Sequence, residues 1–188
     1  MDIRLDGKTA LVTGASSGLG ERFALTLADS GARVAIAARR MDRLKELRAQ
    51  IEAAGGESFA VQMDVLDGAS IERAIATIET DFAPLDILVN NSGVSVTKRL
   101  GEYTEAEYDK VMNTNLKGAF FVAQAVGARM LATGRGGRII NIASAAGIEP
   151  MRGIGVYSMS KAAVISMTRA MAVESPLRKV RPTLPDSS

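Results

Sequence analysis

The sequence predicts an α/β fold: a doubly wound parallel sheet covered by helices on both faces. Three observations carry this. Short apolar runs alternate with segments of helical periodicity along most of the chain. The apolar runs lack the in–out alternation of a half-solvated strand, as strands covered on both faces should. A glycine-rich turn, TGASSGLG (Thr13–Gly20), joins the first run to the first helical segment. Strands that alternate with helices pair in parallel through right-handed crossovers.

Taken in order, KTALVTG (Lys8–Gly14) is the first strand. A helix follows from about Gly18, with Leu19, Phe23 and Leu27 at i, i+4 and i+8 on one face. Gly31 should end it in a left-handed cap. ARVAIAAR (Ala32–Arg39) is the second strand. The next helix, over about residues 41–54, aligns Leu44, Leu47 and Ile51, and Gly55–Gly56 stops it. SFAVQMDV (Ser58–Val65) is the third strand, and Asp67 suits a helix cap. Ile71, Ile75, Ile78 and Phe82 mark the helix that follows, which Pro84 breaks. LDILVNNSG (Leu85–Gly93) is the fourth strand. Thr104 and Glu107 have the spacing of a capping box, opening one long helix to about Thr133. GGRIINIAS (Gly136–Ser144) is the fifth strand, and a last helix covers about residues 155–173.

The pattern stops at Ser175. Three of the five prolines fall between Pro176 and Pro185, and proline lacks the N–H that a sheet ladder uses. The expectation is a single domain over residues 1–174 with five strands, an irregular and flexible tail over 175–188, and a fifth strand left as an open edge.

Composition narrows the chemistry. The 188 residues are 47% hydrophobic, enough for a core, and carry 23 basic against 21 acidic side chains, a net charge of +2. This balance points to neither nucleic acid nor membrane. There is no cysteine and no histidine. Disulfides, thiolate nucleophiles, Cys/His metal sites and Ser-His or Cys-His catalysis are therefore excluded, and no metal site is expected. Acid–base work falls to Tyr, Lys, Ser, Asp or Glu. With no leader-like N-terminus and no long apolar run, a cytoplasmic location is the expectation.

The glycine-rich turn suits a dinucleotide. Gly14, Gly18 and Gly20 allow a tight turn and close approach of the backbone to a pyrophosphate. Ser16, Ser17 and Leu19 complete the loop, and the helix that follows offers free N–H groups and a partial positive charge. The residue that would take the ribose 2′-OH of NAD, an acid about 20 positions on, is absent. The second strand instead ends in Arg39 and Arg40, whose guanidinium groups suit a 2′-phosphate, so NADP(H) is preferred over NAD(H). Solvated arginines at a helix start are the alternative. Asp64 stands where it could accept from an adenine amine, with Val65 beside the ring; a plain turn residue is the alternative. Asn90 and Gly93, in NNSG (Asn90–Gly93), lie at the same strand edge.

Tyr157 and Lys161 stand four apart on one helix face. When hydride reaches a carbonyl carbon, the oxygen needs a proton. A phenol with a reference pKa of about 10 is a weak acid–base group near neutrality, and a neighbouring ammonium favours its phenolate. Lys161 could also hold a nicotinamide ribose. Ser144 ends the fifth strand, where its hydroxyl could hold a substrate oxygen. Asn115 could anchor a water leading from Lys161. Each of these residues alone has an ordinary structural explanation; together, downstream of a nucleotide turn, they favour catalysis.

On these motifs the chain resembles the short-chain dehydrogenase/reductase family over about residues 3–174. The matches are TGASSGLG, Asp64, NNSG, Asn115, Ser144 and Tyr157-x-x-x-Lys161, in family order; Ser92 stands where alanine is usual. The resemblance implies a Rossmann fold, NAD(P)(H) and an ordered hydride transfer. It also implies a tetrad of Asn115, Ser144, Tyr157 and Lys161, with Tyr157 and Lys161 also touching the cofactor. Within the family the chain is most similar to reductases of the 3-oxoacyl-carrier-protein or small-alcohol type. The family's later strands and substrate-covering loop are not recognisable after Glu174, which implies a C-terminally truncated member. Two function classes follow. One is an oxidoreductase interconverting a ketone or 3-oxoacyl group and a secondary alcohol. The other is a dinucleotide-binding remnant with little turnover. The partners implied are a small carbonyl or alcohol, against an apolar wall of Val94, Ile148 and Met151, and a second copy docked through the helices bearing Asn115 and Tyr157.

Overall fold

The computed structural model describes residues 4–174 and 180–183. One parallel sheet runs through it, in the order β3-β2-β1-β4-β5-β6. Its strands are β1 (Thr9–Thr13), β2 (Arg33–Ala38), β3 (Ser58–Gln62), β4 (Ile87–Asn90), β5 (Gly137–Asn141) and β6 (Val180–Thr183). The order reverses between β1 and β4, so their connections leave in opposite directions and open a crevice at their carboxyl ends.

The doubly wound prediction holds because each central strand is apolar on both faces. Ala10, Val12, Val34 and Ile36 pack beneath helices α1 (Gly18–Asp29) and α2 (Met41–Ala53), together with Ala24, Leu44, Leu47 and Ile51. On the other face Leu11, Ala35 and Leu88 meet Ile71, Ile75 and Ile78 of α3 (Gly68–Asp81). Val122, Val126 and Met130 of α5 (Ala119–Ala132) join them there. Helix α6 (Gly155–Glu174) continues that layer through Val164 and Met167, packed on Ala119. Asp67 caps α3 by accepting from Ala69 N at 2.9 Å, and Gly31 has the positive φ expected of it, +89°. Among the described residues no helix is long and apolar enough to cross a membrane.

Three local expectations are corrected. Leu19 is 64% exposed rather than core; the α1 face is closed by Gly20 and Ala24, small residues that let the helix lie close to the sheet. The single long helix after Thr104 is three pieces: α4 (Glu105–Met112), a π-helical turn (Asn113–Gly118) and α5. Hydropathy carries no signal for a one-residue widening of a helix. Finally, the tail is not wholly irregular. Val180–Thr183 pairs with β5 from Gly137↔Val180 to Ile140↔Thr183. Pro182 is tolerated because β6 is the outermost strand, where a missing donor is least costly. The five expected strands are therefore joined by a sixth, and β5 is not the edge. The remaining tail positions, 175–179 and 184–188, lie outside the described residues.

A chain of buried polar side chains ties the strand ends together. Thr13 Oγ1 donates to Asn90 Oδ1 (3.4 Å), and Asn90 Nδ2 donates to Asn141 Oδ1 (3.1 Å) and to Ala119 O (2.7 Å). Asn141 Nδ2 donates to Thr168 Oγ1 on α6 (3.0 Å). All four side chains are buried. The chain thus crosses β1, β4 and β5 and ends on the helix that carries Tyr157 and Lys161.

Removing one link strands its neighbours. Asn141→Ala is expected to destabilise the protein by about 1–3 kcal/mol, the cost of leaving buried polar groups unpaired. Urea unfolding measures it, and a midpoint equal to that of the wild type would contradict the assignment.

Candidate active site

A cavity of about 600 Å³ opens at the carboxyl ends of β1, β2, β4 and β5, where the strand order reverses. The turn after β1 forms one wall. Gly14 and Gly18 take φ of +65° and +62°, a left-handed region that favours glycine. A side chain at Gly20 would collide with the Gly14 carbonyl oxygen, so α1 starts hard against the turn. Ser17 caps α1 with an extended backbone but no side-chain bond to it, which leaves the first-turn N–H groups for an outside acceptor. Ser16, Ser17 and Leu19 line the cavity with Gly14; Gly18 and Gly20 shape the turn from behind it.

Arg39 and Arg40 both line the next wall. Arg40, which the sequence offers only as a companion to Arg39, is the one tied to the turn: Nη2 donates to Ser16 Oγ (3.1 Å) and Ser17 Oγ (3.3 Å). The turn and the cationic strand end are thus one unit. Asp64 and Val65 line the cavity beyond β3. Asp64 Oδ1 accepts from Leu66 N at 3.0 Å. Val65 packs on Gly118 so closely that a Cβ there would sit 2.8 Å from its Cγ2.

NNSG follows β4. Asn90 faces away into the buried polar chain and does not line the cavity. Asn91 donates from Nδ2 to Thr13 O (3.1 Å) and clamps the turn. Gly93 lines the cavity; a Cβ there would be 3.3 Å from Asn115 Oδ1 and 3.7 Å from Lys161 Nζ. These two groups therefore converge on one spot.

Asn115 belongs to the π-helical turn and is buried behind the cavity wall. Its Oδ1 accepts from Val94 N (2.7 Å) and its Nδ2 donates to Val94 O (2.9 Å). Tyr157 and Lys161 line the cavity from α6, with Nζ 5.7 Å from the phenol ring centroid. Nζ donates to Ile142 O at 2.7 Å, a contact that no side-chain pattern could have signalled. Lys161 is 5% exposed, and burial pushes its pKa down to about 8. Ser144 caps the short helical turn Ala145–Gly147, accepting from Ala146 N at 3.2 Å. That turn packs on the backbone of α6 beside Lys161, since a Cβ at Gly147 would lie 2.7 Å from Lys161 C. Ser144 itself does not line the cavity. Of the expected apolar wall, Val94 lines it, whereas Ile148 and Met151 do not and are 67% and 60% exposed.

The residues present fit a dinucleotide. The cradle admits no side chain at Gly14 and Gly20, the amides that follow lack an internal acceptor, and cationic groups border the far end. Comparison with known proteins agrees. The profile of the short chain dehydrogenase family matches residues 8–183. A sorbitol dehydrogenase from Cereibacter sphaeroides is 43% identical over 168 residues, 89% of this chain and 64% of that protein. A 3-oxoacyl-(acyl-carrier-protein) reductase from Staphylococcus epidermidis is 40% identical over 89% of this chain and 68% of its own length. The crystal structure of a short chain dehydrogenase/reductase from Burkholderia phymatum in complex with NAD superposes with a TM-score of 0.91 at 29% identity, covering 98% of this chain and 66% of that one.

Burial of Lys161 makes the stability of the fold depend on pH. Between about pH 8 in the folded chain and about 10.4 in the unfolded one, the unfolded state holds the extra proton. The burial penalty is therefore full below about pH 8 and is relieved as pH rises through that window. Lysine Cε resonances should include one titrating near pH 8, and the stability gap between Lys161→Met and wild type should shrink as pH rises. A Lys161 midpoint at the ordinary lysine value would contradict this.

Proposed function

The chain belongs to the short chain dehydrogenase family, and on that premise we propose that it interconverts a secondary alcohol and a ketone with a nicotinamide dinucleotide. The observation carrying this is the convergence of Tyr157 and Lys161 on the cavity that the glycine-rich turn opens. A bound nicotinamide supplies or takes the hydride. The protein's own residues handle the proton and the orientation. Tyr157 gives its hydroxyl proton to the carbonyl oxygen in reduction and takes it back in oxidation. The Lys161 ammonium beside the ring favours the phenolate left behind. Its pKa of about 8 lets it change protonation close to neutral pH. Ser144 stands outside the cavity lining, on the turn beside Lys161. Its Oγ accepts from Ala146 N through a lone pair, which leaves its one hydrogen to donate to a substrate oxygen that reaches it. Asn115 holds the strand end that carries Gly93.

Gly14, Ser16, Ser17 and Leu19 would hold the pyrophosphate end, Asp64 and Val65 the adenine, and Arg39 and Arg40 a ribose 2′-phosphate. The two arginines, with no acid at the end of β2, favour NADP(H) over NAD(H). Polyols and 3-oxoacyl thioesters are the substrate classes that the relatives suggest.

The test pairs binding with turnover. NADPH should raise the melting temperature more than NADH does. Sorbitol, other polyols or 3-oxoacyl thioesters should show turnover that Tyr157→Phe lowers by at least about 100-fold. Undiminished turnover in that variant would refute the mechanism. Stabilisation by cofactor without turnover of any substrate would favour a dinucleotide-binding chain over an enzyme.

A homodimer through α5 and α6 is proposed on a second ground. These helices frame an apolar groove of about 860 Å³ that includes Phe120, Phe121, Met167 and Met171, and Phe121 is 44% exposed. Sedimentation should show a dimer that Phe121→Glu dissociates; a monomeric wild type would rule it out.

A further inference from the structure

Ser160 lies one residue before Lys161 on α6 and is 0% exposed. Its hydroxyl is used twice. Oγ donates to Tyr157 O at 2.7 Å and accepts from Asn115 Nδ2 at 3.0 Å. A serine folding back on the carbonyl three residues earlier is common in helices and needs no function. The second bond is different, because it leaves the helix and reaches the π-helical turn.

The chemistry of the pair fixes a direction. The Ser160 hydrogen is committed to Tyr157 O, so the side chain presents only lone pairs to Asn115. The Asn115 amide must then turn its Nδ2 toward Ser160. The same heading sets Oδ1 against Val94 N (2.7 Å) and the second Nδ2 hydrogen toward Val94 O (2.9 Å), so Ser160 reinforces from the helix side the orientation that the Val94 backbone accepts. The reversed amide would face lone pair with oxygen and N–H with N–H. With the amide set, Oδ1 also borders the spot beside Gly93 on which Lys161 Nζ converges. One hydroxyl thus links the backbone of Tyr157, the amide of Asn115 and the cavity wall at Gly93–Val94.

We propose that Ser160 is a positioning residue: it orients the Asn115 amide, and through it holds the Gly93–Val94 strand end in place beside Lys161. This rests on the activity proposed for Tyr157 and Lys161. It predicts that Ser160 acts through Asn115 and not through general stability.

Two readouts test it. The first is the Asn115 side-chain amide in the NMR spectrum. In the wild type its protons should exchange slowly with solvent. In Ser160→Ala, a near-isosteric change, their resonances should shift and exchange should quicken about tenfold or more. Rapid exchange in the wild type, or an unchanged amide in the variant, overturns the proposal. The second is a double-mutant cycle on turnover of the fastest substrate among the polyols and 3-oxoacyl thioesters. Ser160→Ala should lower kcat about five- to tenfold with little change in cofactor KM, and should cause no further loss in an Asn115→Ala background. Additive losses overturn it. A shifted amide in a chain that turns over no substrate supports the hold of Ser160 on Asn115 and removes only the activity.

Discussion

The site depends on where the strands end, and that is set by the buried chain from Thr13 through Asn90 and Asn141 to Thr168. Apolar packing alone leaves a parallel sheet free to slide, since one valine on a covered strand resembles the next. Hydrogen bonds between specific side chains do not have that freedom: Asn90 meets Asn141 in only one register, and it is the observed one, Asn90↔Asn141. Inside the protein such bonds are strong when complete and costly when broken. The chain therefore fixes the height of β1, β4 and β5 relative to one another. It also fixes α6 over them. The glycine-rich turn, the Gly93 edge and the Tyr157–Lys161 pair inherit their spacing from it.

Helix α6 then concentrates the chemistry. Tyr157, Lys161, Val164 and Thr168 stand at i, i+4, i+7 and i+11, a single stripe of the helix. The later part of the stripe is anchored to the core and the sheet by Val164 and Thr168, and the earlier part presents Tyr157 and Lys161 to the cavity. Burying a lysine costs free energy, and here the cost is moderated by the bond from Nζ to Ile142 O. The ammonium is held 5.7 Å from the phenol ring centroid and away from bulk solvent, a setting in which charges act more strongly than on a surface.

Much of this was legible in the sequence. The alternating pattern specifies the sheet and its two-sided cover, because Val34–Ala38 and Ile87–Val89 leave no solvated face. The glycine spacing specifies the turn, since Gly14 and Gly18 need positive φ and Gly20 has no room for a Cβ. What escaped reading is backbone-borne or relational. The Ile142 carbonyl has no side-chain signature. The role of Asn91 as a clamp depends on which strand ends meet. Leu19 falls on an apolar helical face by periodicity, yet the close approach of Gly20 and Ala24 rolls it outward to the cavity. The proline-rich tail reads as coil by local propensity, and only tertiary pairing with β5 turns four of its residues into a strand.

The π-helical turn at Asn113–Gly118 acts as a phase shift along a continuous rod. Each residue in a helix advances the angular position of those that follow by about 100°, so the extra residue dials α5 to a different heading from α4. The heading it selects lets Val122, Val126 and Met130 enter the sheet's core while Asn115 still faces Val94 and Gly118 receives Val65. The widened turn is thus the joint between the stretch that meets the cavity wall and the stretch that enters the core.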